Sequence, residues 1–93
     1  MVIGVLLIHL RIPNSDSLKA KRQVILSLKS RLKNTFNVSI AEIGLLNYLK
    51  EAELGVCCIS NSGRYIDKQL SYIMNKIESN RSVEVIKFST EKI

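Results

Sequence analysis

Val2–Ile12 is dense in Val, Ile and Leu and is closed by Pro13-Asn14-Ser15. The run is too short between breakers for a typical helix and suits a strand. Pro13 removes a ladder donor and ends it. From Leu18 the apolar positions fall at 18, 25, 28, 32 and 36, with Val24 beside them. Steps of three, four and seven trace one face of a helix that runs to about Asn34. Ser17 stands at the N-cap position, and Asp16 next to it suits the positive end of the helix dipole. Asn37–Ile43 alternates as a strand does and Gly44 closes it, while Leu54–Ser60 is another short apolar strand. Leu45–Glu53 between them is too long for a tight hairpin turn and reads as one helical turn around Tyr48 and Leu49. Asn61-Ser62-Gly63 is a turn and helix start. Ile66, Leu70, Ile73 and Ile77 then step by four, three and four, a second amphipathic helix stopped at Ser79-Asn80. Val83–Thr90 is the last strand.

The order β-α-β-β-α-β over 93 residues predicts one α+β domain, residues 1–93, of the split βαβ or ferredoxin-like plan. Its four-stranded antiparallel sheet has the spatial order 4-1-3-2, with two helices on one face. The charges agree with that order. Val2–Ile8 and Val56–Ile59, in the central strands, carry none, while Glu42, Glu84 and Lys87 mark the edge strands. Charged edges resist stray strand pairing. The first strand is apolar on both sides, with Ile3, Val5 and Leu7 on one and Val2, Leu6, Ile8 and Leu10 on the other. A sheet face open to water normally reads polar. The helix-free face is therefore expected to be covered, most simply by self-association into a homodimer or higher homo-oligomer. Leu6 and Ile8 are the nominated contact residues.

Charge sharpens the picture. The net charge is +6, and residues 1–40 hold seven basic groups and one acid, whereas residues 41–93 are balanced. An excess confined to one segment points to a polyanionic partner. Lys19, Arg22, Lys29 and Lys33 form a stripe beside the apolar helix face, and Arg11 and Lys21 are placed near the strand-to-helix loop as extensions of it. These six residues are the candidate phosphate contacts to RNA. Ser15 and Ser17, with the free N–H groups of the helix start, are expected to add an anion site. Base stacking on the sheet, as in RRM domains, is disfavoured because the two central strands offer no aromatic residue. The plain alternative for the stripe is a solvated helix face.

Catalytic chemistry has little to stand on. His9 is the single histidine, mid-strand among apolar residues, and would act as a base only if a carboxylate oriented it. Cys57 and Cys58 are consecutive, so in a strand they point to opposite faces, which excludes a CxxC pair or a shared metal. No GxxxxGK loop occurs. The expectation is a non-enzymatic protein without cofactor or metal. No basic residue precedes the opening apolar run, no cleavage site follows it, and it falls short of the roughly 20 residues that span a bilayer. A cytoplasmic location with no membrane partner is expected.

Three segments carry a resemblance. Ser17-Leu18-Lys19-Ala20-Lys21-Arg22, Phe36-Asn37-Val38-Ser39-Ile40-Ala41-Glu42, and Leu54-Gly55-Val56 with Ser60-Asn61 resemble the small bacterial YlxP-like family, a domain-of-unknown-function group. The resemblance implies a ferredoxin-like fold, no established enzymatic activity, and a gene neighbourhood often shared with translation and ribosome-maturation genes. That family usually has Glu in the slot of Ala20, where it would close a capping box with Ser17. It usually has a Trp and a basic residue before Leu54-Gly55, where Leu49 and Glu51 stand here. The functional expectation is an RNA- or ribosome-associated accessory protein. The alternative is a self-assembling protein-interaction module with no nucleic-acid role. A small-molecule regulatory domain has fold analogy alone behind it.

Overall fold

The computed structural model describes residues 1–93. Its elements run β1 (Val2–Arg11), α1 (Leu18–Thr35), β2 (Ser39–Gly44), β3 (Glu51–Ser60), α2 (Gly63–Glu78) and β4 (Glu84–Lys92). The sheet order is β2-β3-β1-β4 with every pairing antiparallel, as the pattern predicted. Ser17 caps α1 as expected, its Oγ accepting the Ala20 N–H at 3.0 Å. Ser62 does the same for α2, accepting from Tyr65 N–H at 3.2 Å.

One core of 18 buried apolar residues fills the space between sheet and helices. Leu6, Ile8 and Leu10 from β1 and Ala52, Leu54, Val56 and Cys58 from β3 meet Ile25, Leu28 and Leu32 of α1 and Ile66, Leu70, Ile73 and Ile77 of α2. The alternate residues of the same strands, such as Leu7, Cys57 and Ile59, are exposed, so both helices cover one face of the sheet. Gly4 lets α2 approach closely, because a Cβ there would lie 2.5 Å from Ile66 Cγ2.

Two expectations are corrected. Leu6 and Ile8 are 0% and 1% exposed and face the helices. They belong to the core, and the open face is carried by their alternates Ile3, Val5 and Leu7. The segment Leu45–Glu53 forms no helical turn. β3 begins at Glu51, which leaves a short β2–β3 connection in which Tyr48 N–H meets Leu45 O at 3.0 Å. The physical reason is partner length: β1 extends to Arg11 and pairs Leu10 with Ala52 and Arg11 with Glu51. That pairing recruits Glu51-Ala52-Glu53 into a strand despite their weak strand propensity.

Candidate functional site

α1 is an 18-residue helix without a single acidic residue. Its cations are Lys19, Lys21, Arg22, Lys29, Arg31 and Lys33. Lys19, Arg22, Arg31 and Lys33 are exposed and Lys29 is half-buried, and none of these five is in an ion pair. At 3.6 residues per turn, Lys19, Arg22, Lys29 and Lys33 share about 80° of arc on one flank. The structure therefore does bring these four predicted residues together. Leu26 lies within the same arc and is 67% exposed. Arg31 falls on the opposite flank, toward α2.

Lys21 is a correction. It is 1% exposed, its Nζ donates to Leu45 O at 2.7 Å, and it lies 2.9 Å from Glu42 Oε2. On the helical wheel it sits between Leu28 and Leu32, at the centre of the face that must be buried. It holds α1 to the end of β2 and presents nothing to a phosphate. The carbonyl it grips belongs to Leu45, whose φ of 56° is left-handed for a non-glycine residue. Lys21 thus fixes a strained residue where the chain leaves β2.

Arg11 is a second correction. It ends β1 on the helix-free face, with Glu51 and Glu84 opposite it on the two neighbouring strands. The sheet separates it from the α1 stripe. The serines at the helix start are committed to the turn. Ser15 is 2% exposed and donates to Ser17 O at 3.2 Å, while Ser17 Oγ is the cap of α1.

The helix-free face divides into two parts. One is apolar, with Leu7 43%, Ile43 48% and Ile59 53% exposed around Gly55 and the exposed Cys57. The other is charged, with His9, Arg11, Glu51, Glu53 and Lys87 side by side on β1, β3 and β4. His9 does have an orienting carboxylate: its Nε2 lies 2.7 Å from Glu51 Oε1, a diagonal cross-strand pair. Lys87 and Ser89 line the same cavity as His9 and Glu53, and no group of three His, Cys, Asp or Glu side chains is placed to hold a metal ion. Cys58 is buried under the helices, and that burial pushes its thiol above the usual range, with Cys57 adding to the rise and the Gly4 backbone opposing it. No helix is long and apolar enough to cross a membrane.

Comparison with known proteins agrees with this fold. The family described as protein of unknown function (DUF503) matches residues 3–90. A relative, the uncharacterized protein YlxP of Bacillus subtilis (strain 168), is 34% identical over 71 residues, which is 76% of this chain and 77% of that protein. The de novo designed protein Foldit4 superposes with a TM-score of 0.51 at 15% identity, covering 98% of this chain and 97% of the design. Part of a hydantoinase/carbamoylase family amidase from Burkholderia ambifaria superposes with a TM-score of 0.55 at 12% identity, covering 99% of this chain and 27% of the amidase. These two structural likenesses are of fold alone.

Proposed function

The chain belongs to the DUF503 family, and on that premise we propose that it is a non-enzymatic cytoplasmic protein that binds RNA through the exposed flank of α1. The carrying observation is that four cations without ion-pair partners share one flank of a helix that holds no acid. Lys21 is held by Glu42, Lys92 by Asp67 at 2.9 Å, and Lys50 by the carbonyls of Pro13 and Ser15. Lys19, Arg22, Lys29 and Lys33 have no such partner and no acid on their helix. Four unpaired cations on one flank suit contact with a phosphate backbone, where each contact gains by releasing condensed counterions. Such contacts position a nucleic acid and read little sequence. Structured ribosomal or transfer RNA is the partner this favours. Crosslinking in cells tests it: recovery of RNA with the wild-type chain, lost on Arg22→Glu/Lys29→Glu, supports the reading, and recovery of protein alone refutes it.

A second reading is carried by the helix-free face, which a second copy of the chain would cover. Strands of 10, 6, 10 and 9 residues, at about 3.3 Å per residue and about 4.8 Å apart, span roughly 550 Å². That is the order of the ~800 Å² per partner in a standard interface. The apolar part supplies Leu7, Ile43 and Ile59, and the charged part carries both signs, so a two-fold mate can set His9, Arg11 and Lys87 against Glu51 and Glu53. Cys57 is a built-in reporter, because a dimer through this face shields it. Sedimentation showing a dimer at about 100 μM that Leu7→Asp dissociates supports this reading, whereas a wild-type monomer at that concentration counts against it.

A further inference from the structure

Between α1 and the turn that follows α2 runs a polar groove separate from the stripe. Its larger lobe, of about 350 Å³, is lined by Ser27 and Arg31 of α1 and by Ser79, Asn80, Arg81 and Ser82. A smaller lobe of about 150 Å³ continues toward the start of α1. The two share Val24, Arg81 and Ser82, and the smaller one adds Asn14 on its rim and Ile12 and Ala20 as an apolar wall. No acidic residue lines either lobe.

The two arginines are free to bind something. Neither has a carboxylate partner. Nor do they bond the end of α2, where the carbonyls of Asn75, Lys76 and Ile77 already have partners. Ser79 N–H meets Asn75 O and Asn80 N–H meets Ile77 O, each at 3.0 Å, and Ser79 Oγ donates to Lys76 O at 2.8 Å. Asn80 Oδ1 accepts the Ser82 N–H at 2.9 Å, which leaves the amide NH₂ of Asn80 as a free donor. Two guanidinium forks and a carboxamide around an acid-free cleft are the donor set that a phosphate group takes up.

We propose that this groove is a phosphate-binding site that takes one phosphodiester of an RNA strand between Arg31 and Arg81. The adjoining nucleoside lies in the smaller lobe, against Val24 and Ala20, with Asn14 at its edge. Naming RNA as the source rests on the reading of α1 given above, while the site has a geometry of its own. Val24, Ser27 and Arg31 lie across the helix from Lys19, Arg22, Lys29 and Lys33, so α1 presents binding groups on both flanks. Free phosphate shares the ligand chemistry, and the experiment separates the two sources.

The ¹⁵N-labelled full chain is titrated with a 5′-phosphorylated uridine trinucleotide and, separately, with inorganic phosphate. The trinucleotide is expected to shift the amides of Ser27 and 79–82 and the Nε–H signals of Arg31 and Arg81, and to saturate. Arg31→Gln and Arg81→Gln should each weaken it about tenfold, the loss expected for one charge-assisted contact. Arg81→Lys, which keeps the charge without the fork, should fall between wild type and Arg81→Gln. The same shifts should persist in Arg22→Glu/Lys29→Glu, so a failed stripe and a failed groove are told apart. Shifts confined to the stripe, or binding indifferent to both glutamine variants, overturn the site. Inorganic phosphate that binds as tightly as the trinucleotide overturns the RNA strand as the source.

Discussion

Three pairs of sequence neighbours straddle one boundary, the surface of the layer between the helices and the sheet. Leu6, Lys21 and Cys58 lie inside that layer, while Leu7, Arg22 and Cys57 lie outside it. Each pair is chemically alike and meets opposite conditions. The difference teaches that strand parity and helical phase, and not residue type, decide which side chains build the fold and which remain free to bind. The lysine shows it most plainly. Lys21 gives up its hydration to hold a carboxylate and a strained carbonyl, and Arg22, one residue on, faces water unpaired. The charge of α1 is therefore not the same quantity as its surface charge.

The leucine pair breaks the comparison hardest if it is wrong. Leu6→Ala should cost about 3–4 kcal/mol in chemical denaturation, through lost burial and a residual cavity. Leu7→Ala should cost less than about 1 kcal/mol in the monomer. Equal losses would place the boundary elsewhere.

Next comes Lys21→Ala, expected to cost about 2 kcal/mol, since it leaves the buried Oε2 of a part-exposed Glu42 and the Leu45 carbonyl without their partner. Hydrogen exchange at 45–50 should speed up in the same variant. Arg22→Ala should stay within about 0.5 kcal/mol of wild type. Pairing Lys21→Met with Glu42→Gln should recover part of the loss, which separates the unpaired charge from the packing.

The cysteine pair carries the smallest effect. A thiol reagent should label Cys57 in the native monomer and Cys58 only on unfolding. Cys58 also has a pH signature. Its folded thiol holds its proton above the ordinary value of 9.0, so above that pH the unfolded chain binds fewer protons. The stability it contributes is full below 9.0 and is lost as pH rises through the folded value. Cys58→Val should flatten that alkaline decline, whereas Cys57→Val should reduce it only in part, by removing the smaller of the two raising causes.

Much of the architecture is legible in the residues. The period of 3.6 defines the two helices, alternation marks β2, apolar runs mark β1 and β3, and the charge-free stretches Val2–Ile8 and Val56–Ile59 against charged edges give the strand order. What was hidden has physical causes. The β1 pattern is apolar on both sides, so parity alone does not say which side the helices take, and nothing in it separates Leu6 and Ile8 from the residues of the open face. Lys21 stood in the buried phase of its helix, but a lysine masks that phase until Glu42 is seen beside it. Glu51-Ala52-Glu53 has little strand character, and its pairing is imposed from β1. The His9–Glu51 pair spans two strands diagonally. Arg31 and Arg81 lie far apart in sequence and meet because the end of α2 returns to α1. The one local hint was an arginine set in the polar run Ser79-Asn80-Arg81-Ser82.

The central claim is that the free flank of α1 binds the RNA backbone, and the salt dependence of binding tests it most directly. Affinity for a structured ribosomal RNA fragment is measured across a range of salt for the wild type, for Arg22→Glu/Lys29→Glu, and for Lys68→Glu/Lys76→Glu on α2 as the control. With about four phosphate contacts the wild type should give a log–log slope of roughly −3 to −4. The α1 variant should fall to roughly half that slope with its fold intact, and the α2 control should keep the wild-type slope. No salt-dependent binding in the wild type, or equal losses in the two variants, would contradict the account.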